Sequence, residues 1–162
     1  MLKEAQVEKS LEILPRGAFL TTGRDGKYNT MTIGWGNIGV AWGKPIFTVL
    51  VRTSRYTYDL IESSGEFTVS LPLTDMKEAL NLCGSKSGRD IDKFQAAGLK
   101  PQPGRTISTP VIAGGGLHYE CKVVYKQAMQ PELLSDAMKA QWYSQGDYHT
   151  LYFGEITASY SD

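Results

Sequence analysis

Two short segments of this 162-residue chain carry residue types suited to gripping an anion. The first is Arg52-Thr-Ser-Arg-Tyr-Thr57, where a strand is expected to end and a helix to begin. Free amides in the first turn of a helix, hydroxyl donors and guanidinium forks together form a phosphate site. The second is Cys83-Gly-Ser-Lys-Ser-Gly-Arg-Asp-Ile-Asp-Lys-Phe94, in which glycines and serines interleave with Lys86, Arg89 and Lys93. Such a loop can wrap an anion with backbone amides, although it lacks the spacing of a Walker A loop. Each segment also has a plainer reading: a capped helix with two solvated arginines, and a charged connection between helices. Two independent anion-suited segments in a chain with no basic excess favour one phosphate-bearing ligand over nucleic acid.

A third motif, Gly34-Trp-Gly-Asn-Ile-Gly39, matches GxGxxG, with Asp59 at the distance of a ribose-binding acid. A dinucleotide site needs the glycine turn to open into a helix that receives the pyrophosphate. Here Gly43 and Pro45 would break a helix and a strand follows, so these glycines are expected to form a bulge or admit a flat ligand to the backbone. His118 lies in an alternating segment and reads as a surface or hydrogen-bonded core residue. His149 lies beside a strand start, in Gly146-Asp-Tyr-His-Thr150, where loops carry function. No ligand set for a metal is visible, and no nucleophile elbow marks a hydrolase.

The elements that must position these residues are mostly short strands. Val7 to Leu14 reads as a helix stopped by Pro15, and Gly17 to Gly23 as a strand. The Asp25-Gly26 pair marks a hairpin returning through Tyr28 to Trp35. Ile46 to Arg52 is a β-branched run expected to be buried on both faces. Ser54 is placed to cap a helix closed by Gly65, followed by a strand over Phe67 to Leu71. A second helix starts near Asp75, which has capping-box spacing to Glu78, and ends at Gly84. Its Met76, Leu80 and Cys83 form one apolar stripe. A third helix is expected over Ile91 to Ala97, then a loop over Pro101 to Gly116 with one short strand at Val111. Leu117 to Val124 alternates as a half-exposed strand, Pro131 to Tyr143 reads as helix, and Thr150 to Tyr160 as the last strand. Many short strands with inserted helices predict a mainly β, α+β chain built on a barrel or sandwich.

The length fits one domain over 1–162 with a hydrophobic core of its own. Lys+Arg and Asp+Glu both number 17, which supplies no electrostatic reason for nucleic acid or an anionic membrane as partner. Cys83 and Cys121 lie far apart, and two free buried thiols are expected. The first residues, with interleaved charges, lack the apolar core of a signal peptide, so a cytoplasmic location is expected.

Taken together, Asn29-Thr-Met-Thr-Ile-Gly-Trp35, Arg52 to Thr57, Phe67-Thr-Val-Ser-Leu71, Cys83 to Phe94 and Gly146 to Ile156 resemble the flavin reductase-like family. Its flavoredoxin-type members, FMN-binding split β-barrels with short helical insertions, are the nearest in pattern from Leu14 onward. The resemblance implies a homodimer with FMN near the interface. It assigns Thr30, Met31 and Thr32 to the flavin, and Trp35, Gly36 and Asn37 to the ring edge. It assigns Arg52, Ser54, Arg55 and Thr57 to the phosphate, with Ser87, Gly88 and Lys93 closing over it. His149 stands in the place of the histidine of the family's Gly-Asp-His segment, where it would approach the nicotinamide or the flavin as the candidate catalytic group. Here Tyr148 intervenes in that segment. Relatives often continue past the last strand in an extension that shapes the dimer or covers the site, so substrate access is expected to differ. The implied activity is an NAD(P)H-dependent oxidoreductase passing electrons through FMN to a flavin, ferric or protein acceptor. The alternatives are a non-enzymatic electron carrier or flavin-storage protein of the same fold, and a binder of another phosphate-bearing cofactor.

Overall fold

A computed structural model describes residues 2–114 and 116–162. Helix α1 (Glu4–Ile13) ends in a 3-10 turn over Leu14–Arg16, where Pro15 has no N–H with which to continue a helix. Strands β1 (Ala18–Arg24) and β2 (Lys27–Ile33) form a hairpin about Asp25 and Gly26, both at positive φ as a tight turn requires. Strands β3 (Asn37–Ala41) and β4 (Lys44–Arg52) form a second hairpin through Trp42 and Gly43, again at positive φ. Helix α2 (Tyr56–Ser64), strand β5 (Glu66–Leu71), and helices α3 (Lys77–Ser85) and α4 (Lys93–Ala97) follow. A small β6–β7 pair (Pro101–Gln102 with Val111–Ile112) precedes the long strand β8 (Leu117–Ala128). Helix α5 (Asp136–Trp142) and strand β9 (His149–Ser161) complete the chain.

The large strands form one antiparallel sheet in the order β2-β1-β5-β8-β9-β4-β3. Its two ends, β2 and β3, are consecutive in sequence, and the chain crosses from one to the other through Gly34-Trp35-Gly36. Phe47, Val49, Phe67, Val69, Tyr119 and Tyr152 fill the main core, closed by Ile13 and Leu14. A second cluster packs Phe19 of β1 against Cys83, Leu99 and Ile112, with Met76 and Leu80 beside them. Strand β1 therefore has apolar neighbours on both faces, and α3 and α4 are held against the β1–β2 side of the sheet. No helix among the described residues is long and apolar enough to cross a membrane.

Several local expectations are corrected. Ser54 does not cap α2: Arg55 takes the cap position without a side-chain bond, and Ser54 Oγ donates to Asp147 instead. The capping box at Asp75 does not form; Asp75 accepts from the Lys77 amide and Met76 occupies the cap position. Helix α3 runs past Gly84 to Ser85, and the 131–143 stretch divides into a 3-10 turn and α5 because Leu134 is extended. The loop after α4 holds a strand pair rather than a lone strand. Leu117–Cys121 is wholly buried rather than half-exposed. Its alternation is real, but the polar face is covered, since Glu120 accepts from the Arg105 and Thr106 amides, the Thr106 hydroxyl and the Tyr160 phenol.

Candidate functional site

The two anion-suited segments converge. The turn from β4 into α2 and the segment from α3 to α4 face each other across a pocket of about 150 Å³. Arg55, Lys86 and Lys93 line it, with the hydroxyls of Ser54, Thr57, Ser85 and Ser87, and among the described residues no carboxylate does. Because no side chain caps α2, the amides of Tyr56 and Thr57 and the positive end of its dipole remain available to a ligand, while the Tyr58 amide donates to the Arg55 carbonyl. Thr57 Oγ1 accepts from Asn29 Nδ2 at 2.9 Å and so keeps its own proton to donate. Lys93 is buried, positioned by the Asp92 cap at the start of α4, and donates to the Cys83 carbonyl at 2.8 Å. Burial, together with the nearby Arg55 charge, holds its ammonium below the usual lysine range. A buried cation facing no carboxylate is stabilised by an anion brought to it. The loop is fastened by Arg89, which donates to the Ser54 carbonyl and to Asp59, and lies over the Tyr56 ring. Gly88 sits so close to Asn29 that a Cβ there would fall 2.1 Å from its Oδ1.

A second pocket, of about 220 Å³, adjoins the first through Met31 and Arg55, which line both. Its walls include Thr32, Trp35, Leu50, Arg52, Trp142 and His149. Trp35 and Trp142 meet edge to face at 4.9 Å, and His149 lies 5.3 Å from Trp35. The His149 ring is paired through Nδ1 with the Tyr143 hydroxyl at 2.6 Å. Burial, with the Arg52 charge adding to it, lowers its pKa to about 4, so the imidazole is neutral at physiological pH. Arg52 spends both terminal nitrogens on backbone carbonyls, of Asp147 at 2.8 Å and Trp142 at 3.0 Å. Together the pockets offer a cation- and hydroxyl-lined socket at one end and, at the other, a slot walled by Trp35, Trp142, Leu50 and Met31 with Arg52, Arg55 and His149 among them.

Of the residues singled out from sequence, Ser54, Arg55, Thr57, Ser87, Gly88 and Lys93 line the anion pocket. Met31 lines both pockets, and Thr32, Trp35, Arg52 and His149 line the second, where Arg52 is apart from the phosphate group of residues to which it was assigned. Thr30, Gly36 and Asn37 line neither. Thr30 is fully buried and bonded to Thr21, Gly36 packs on the Phe47 ring, and Asn37 pairs with Thr48 in the β3–β4 ladder. Trp142, Tyr143 and Asp147 were missed; only their closeness in sequence to His149 could have drawn attention to them. The glycine motif runs into β3 rather than a helix, and Asp59 binds Arg89, so neither serves a dinucleotide turn. Ser70, His118 and Asp162 are hydrogen-bonded in series at 2.9 and 3.0 Å, but Ser70 and His118 are fully buried and Ser70 Oγ also accepts from the Ile112 amide. That series ties the last strand to the core. The thiols of Cys83 and Cys121 are both free and buried.

Residues 12–162 match the model of the flavin reductase like domain. An uncharacterized protein of Archaeoglobus fulgidus is 28% identical over 94% of this chain and 76% of its own length. Several other curated relatives are longer, and the chain spans less than two thirds of them. Among solved structures, the flavoredoxin of Methanosarcina acetivorans superposes with a TM-score of 0.72 at 28% identity, covering 90% of this chain and 68% of that one. The flavoredoxin of Desulfovibrio vulgaris (Miyazaki F) gives 0.71 at 26% identity, over 90% and 69%. The open sheet with its inserted helices is thus the expected split β-barrel.

Proposed function

The chain belongs to the flavin reductase-like family, and on that premise we propose that it is an oxidoreductase that holds FMN across the two adjoining pockets. The observation that carries this reading is a socket lined by three cations and no carboxylate, opening into a slot walled by Trp35, Trp142 and His149. Arg55, Thr57, Ser87 and Lys93 would hold the phosphate by charge-assisted and hydroxyl hydrogen bonds, with the chain at Gly88 closing over it, while Ser54, whose hydroxyl proton goes to Asp147, would shape the rim of the pocket. Met31, Thr32 and Trp35 would bound the ring, while Thr30, Gly36 and Asn37 hold the courses of β2 and β3 behind that wall. His149 would present a neutral polar group to the slot, kept uncharged by its burial. FMN bound there would supply a carrier able to take two electrons as hydride from NADH or NADPH and release them together to a flavin or singly to two ferric ions or a protein acceptor. The protein's part is to bind, orient and exclude water.

The same reading takes residues 1–162 as one domain and the working form as a homodimer with the slot near its interface. In its support, Trp35 and Trp142 at the slot are 39% and 45% exposed in the single chain, a large aromatic surface to leave in water. The free thiols suit a reducing compartment, and the cytoplasm is the location proposed. The test is an absorption spectrum of the FMN-loaded protein, taken anaerobically before and after NADH and NADPH. Bleaching by either one supports the reductase. A flavin reduced by dithionite but by neither nicotinamide would instead indicate a carrier, and failure to take up FMN overturns the reading. Sedimentation equilibrium of the loaded protein tests the dimer.

A further inference from the structure

We infer that Arg52 is a positioning residue for the ring slot and not a ligand of the phosphate, a role that rests on the flavin reading above. Arg52 ends β4 and is the register partner of His149, the first residue of β9. Its guanidinium reaches three points of one return segment: the Trp142 carbonyl, the Asp147 carbonyl and the face of the Tyr143 ring, 5.0 Å away. Two residues further on, Ser54 Oγ donates to Asp147 Oδ2 at 2.6 Å. Asp147 has φ of 54°, a left-handed conformation that aspartate tolerates better than most side chains but that is still held by local hydrogen bonds. Arg52 on its carbonyl and Ser54 on its carboxylate supply that constraint. The segment so held contributes Trp142 and His149 to the wall of the slot. Arg52 lines this slot alone, whereas Arg55 lines both pockets and its guanidinium makes no hydrogen bond or ion pair among the described residues. With both terminal nitrogens committed, Arg52 acts as a strut between the end of β4 and the cover of the ring, and Arg55 is left as the arginine for the phosphate. The planar fork of arginine reaches two carbonyls at once, a geometry lysine cannot reproduce.

Riboflavin and FMN share a ring and differ by the phosphate, so titrating both into each variant separates the two roles. In Arg52→Ala both dissociation constants are expected to rise by the same factor, on the order of tenfold. The riboflavin-to-FMN ratio stays at its wild-type value, and the quenching of tryptophan fluorescence by bound flavin falls. In Arg55→Ala only the FMN constant rises and the quenching at saturation is unchanged. Arg52→Lys and Arg52→Gln carry the same test if the alanine variant does not fold, and Lys is expected to restore only part of the affinity. Selective loss of FMN affinity in the Arg52 variants, or no change with either flavin, overturns the inference. A wild-type protein that binds neither flavin would instead overturn the functional reading on which the inference stands.

Discussion

Lys93 and His149 mark the two ends of the site, and burial acts on them in the same direction by the same physics. Each is taken out of water without a carboxylate bonded to it, and each therefore holds its proton less tightly than usual. On the proposed function, an anionic ligand would supply the countercharge of Lys93. Lys93→Met keeps most of the volume and removes the charge, so FMN affinity is expected to fall by about 1.5–3 kcal/mol. Ligand-free stability should change little, because the lost bond to the Cys83 carbonyl is offset by relief of desolvation. Unaltered FMN binding in a calorimetric titration would remove Lys93 from the socket. For His149 the consequence is a pH dependence. Its folded pKa of about 4 lies below the usual value of 6.5, so the unfolded chain binds the extra proton first as pH falls. Its contribution is therefore complete above about pH 6.5 and lost progressively between there and about pH 4, with a ceiling on the order of 3 kcal/mol. Denaturant unfolding of the protein and of His149→Asn across that window should show a shallower slope in the variant. His118, also lowered by burial, adds to the acid sensitivity in the same sense and remains in both.

At the scale of elements, short helices do the positioning. Helix α4 is five residues long and depends on its cap, where Asp92 Oδ1 accepts from the Phe94 and Gln95 amides. Asp92→Ala is expected to cost about 1 kcal/mol of stability. Because Lys93 is the first residue of that helix, FMN affinity should weaken in parallel. A drop in melting temperature with full FMN affinity would separate the cap from the site. Local chemistry made most elements legible: Asp25-Gly26 marks its hairpin, Gly65 its helix end, and the β-branched run of β4 its burial. The β3–β4 hairpin was not legible. Its turn residues are Trp42 and Gly43, and Trp42 adopts a positive φ that few side chains favour. The cap of α2 was misread for a related reason, since the preference of serine for a helix start says nothing about an aspartate that competes for it from a remote loop.

At the scale of the molecule, the site depends on how tightly the sheet closes behind it. Gly154 of β9 packs against Phe67 of β5 and Cys121 of β8, and a Cβ there would fall 2.6 Å from the Phe67 ring and 2.7 Å from Cys121 Cβ. Gly154→Ala is expected to destabilise the fold by roughly 1–3 kcal/mol through overpacking, with no change in the denaturant slope. A neutral result would mean that the core yields at that point.

Periodicity, turn residues and composition are local properties, and from them the sequence determined the strand-rich class, most element positions and the two cation- and hydroxyl-bearing segments that line the first pocket. The tertiary structure decided which of those residues meet. Strand order sets β4 beside β9, which brings Arg52 opposite His149 and commits its guanidinium to the 142–147 segment. The same closure buries the polar face of β8 that its alternation had suggested was open to water. Pairing between distant strands is settled by packing and hydrogen bonds summed over the whole sheet, so a side chain's final partner cannot be read from its neighbours in the chain.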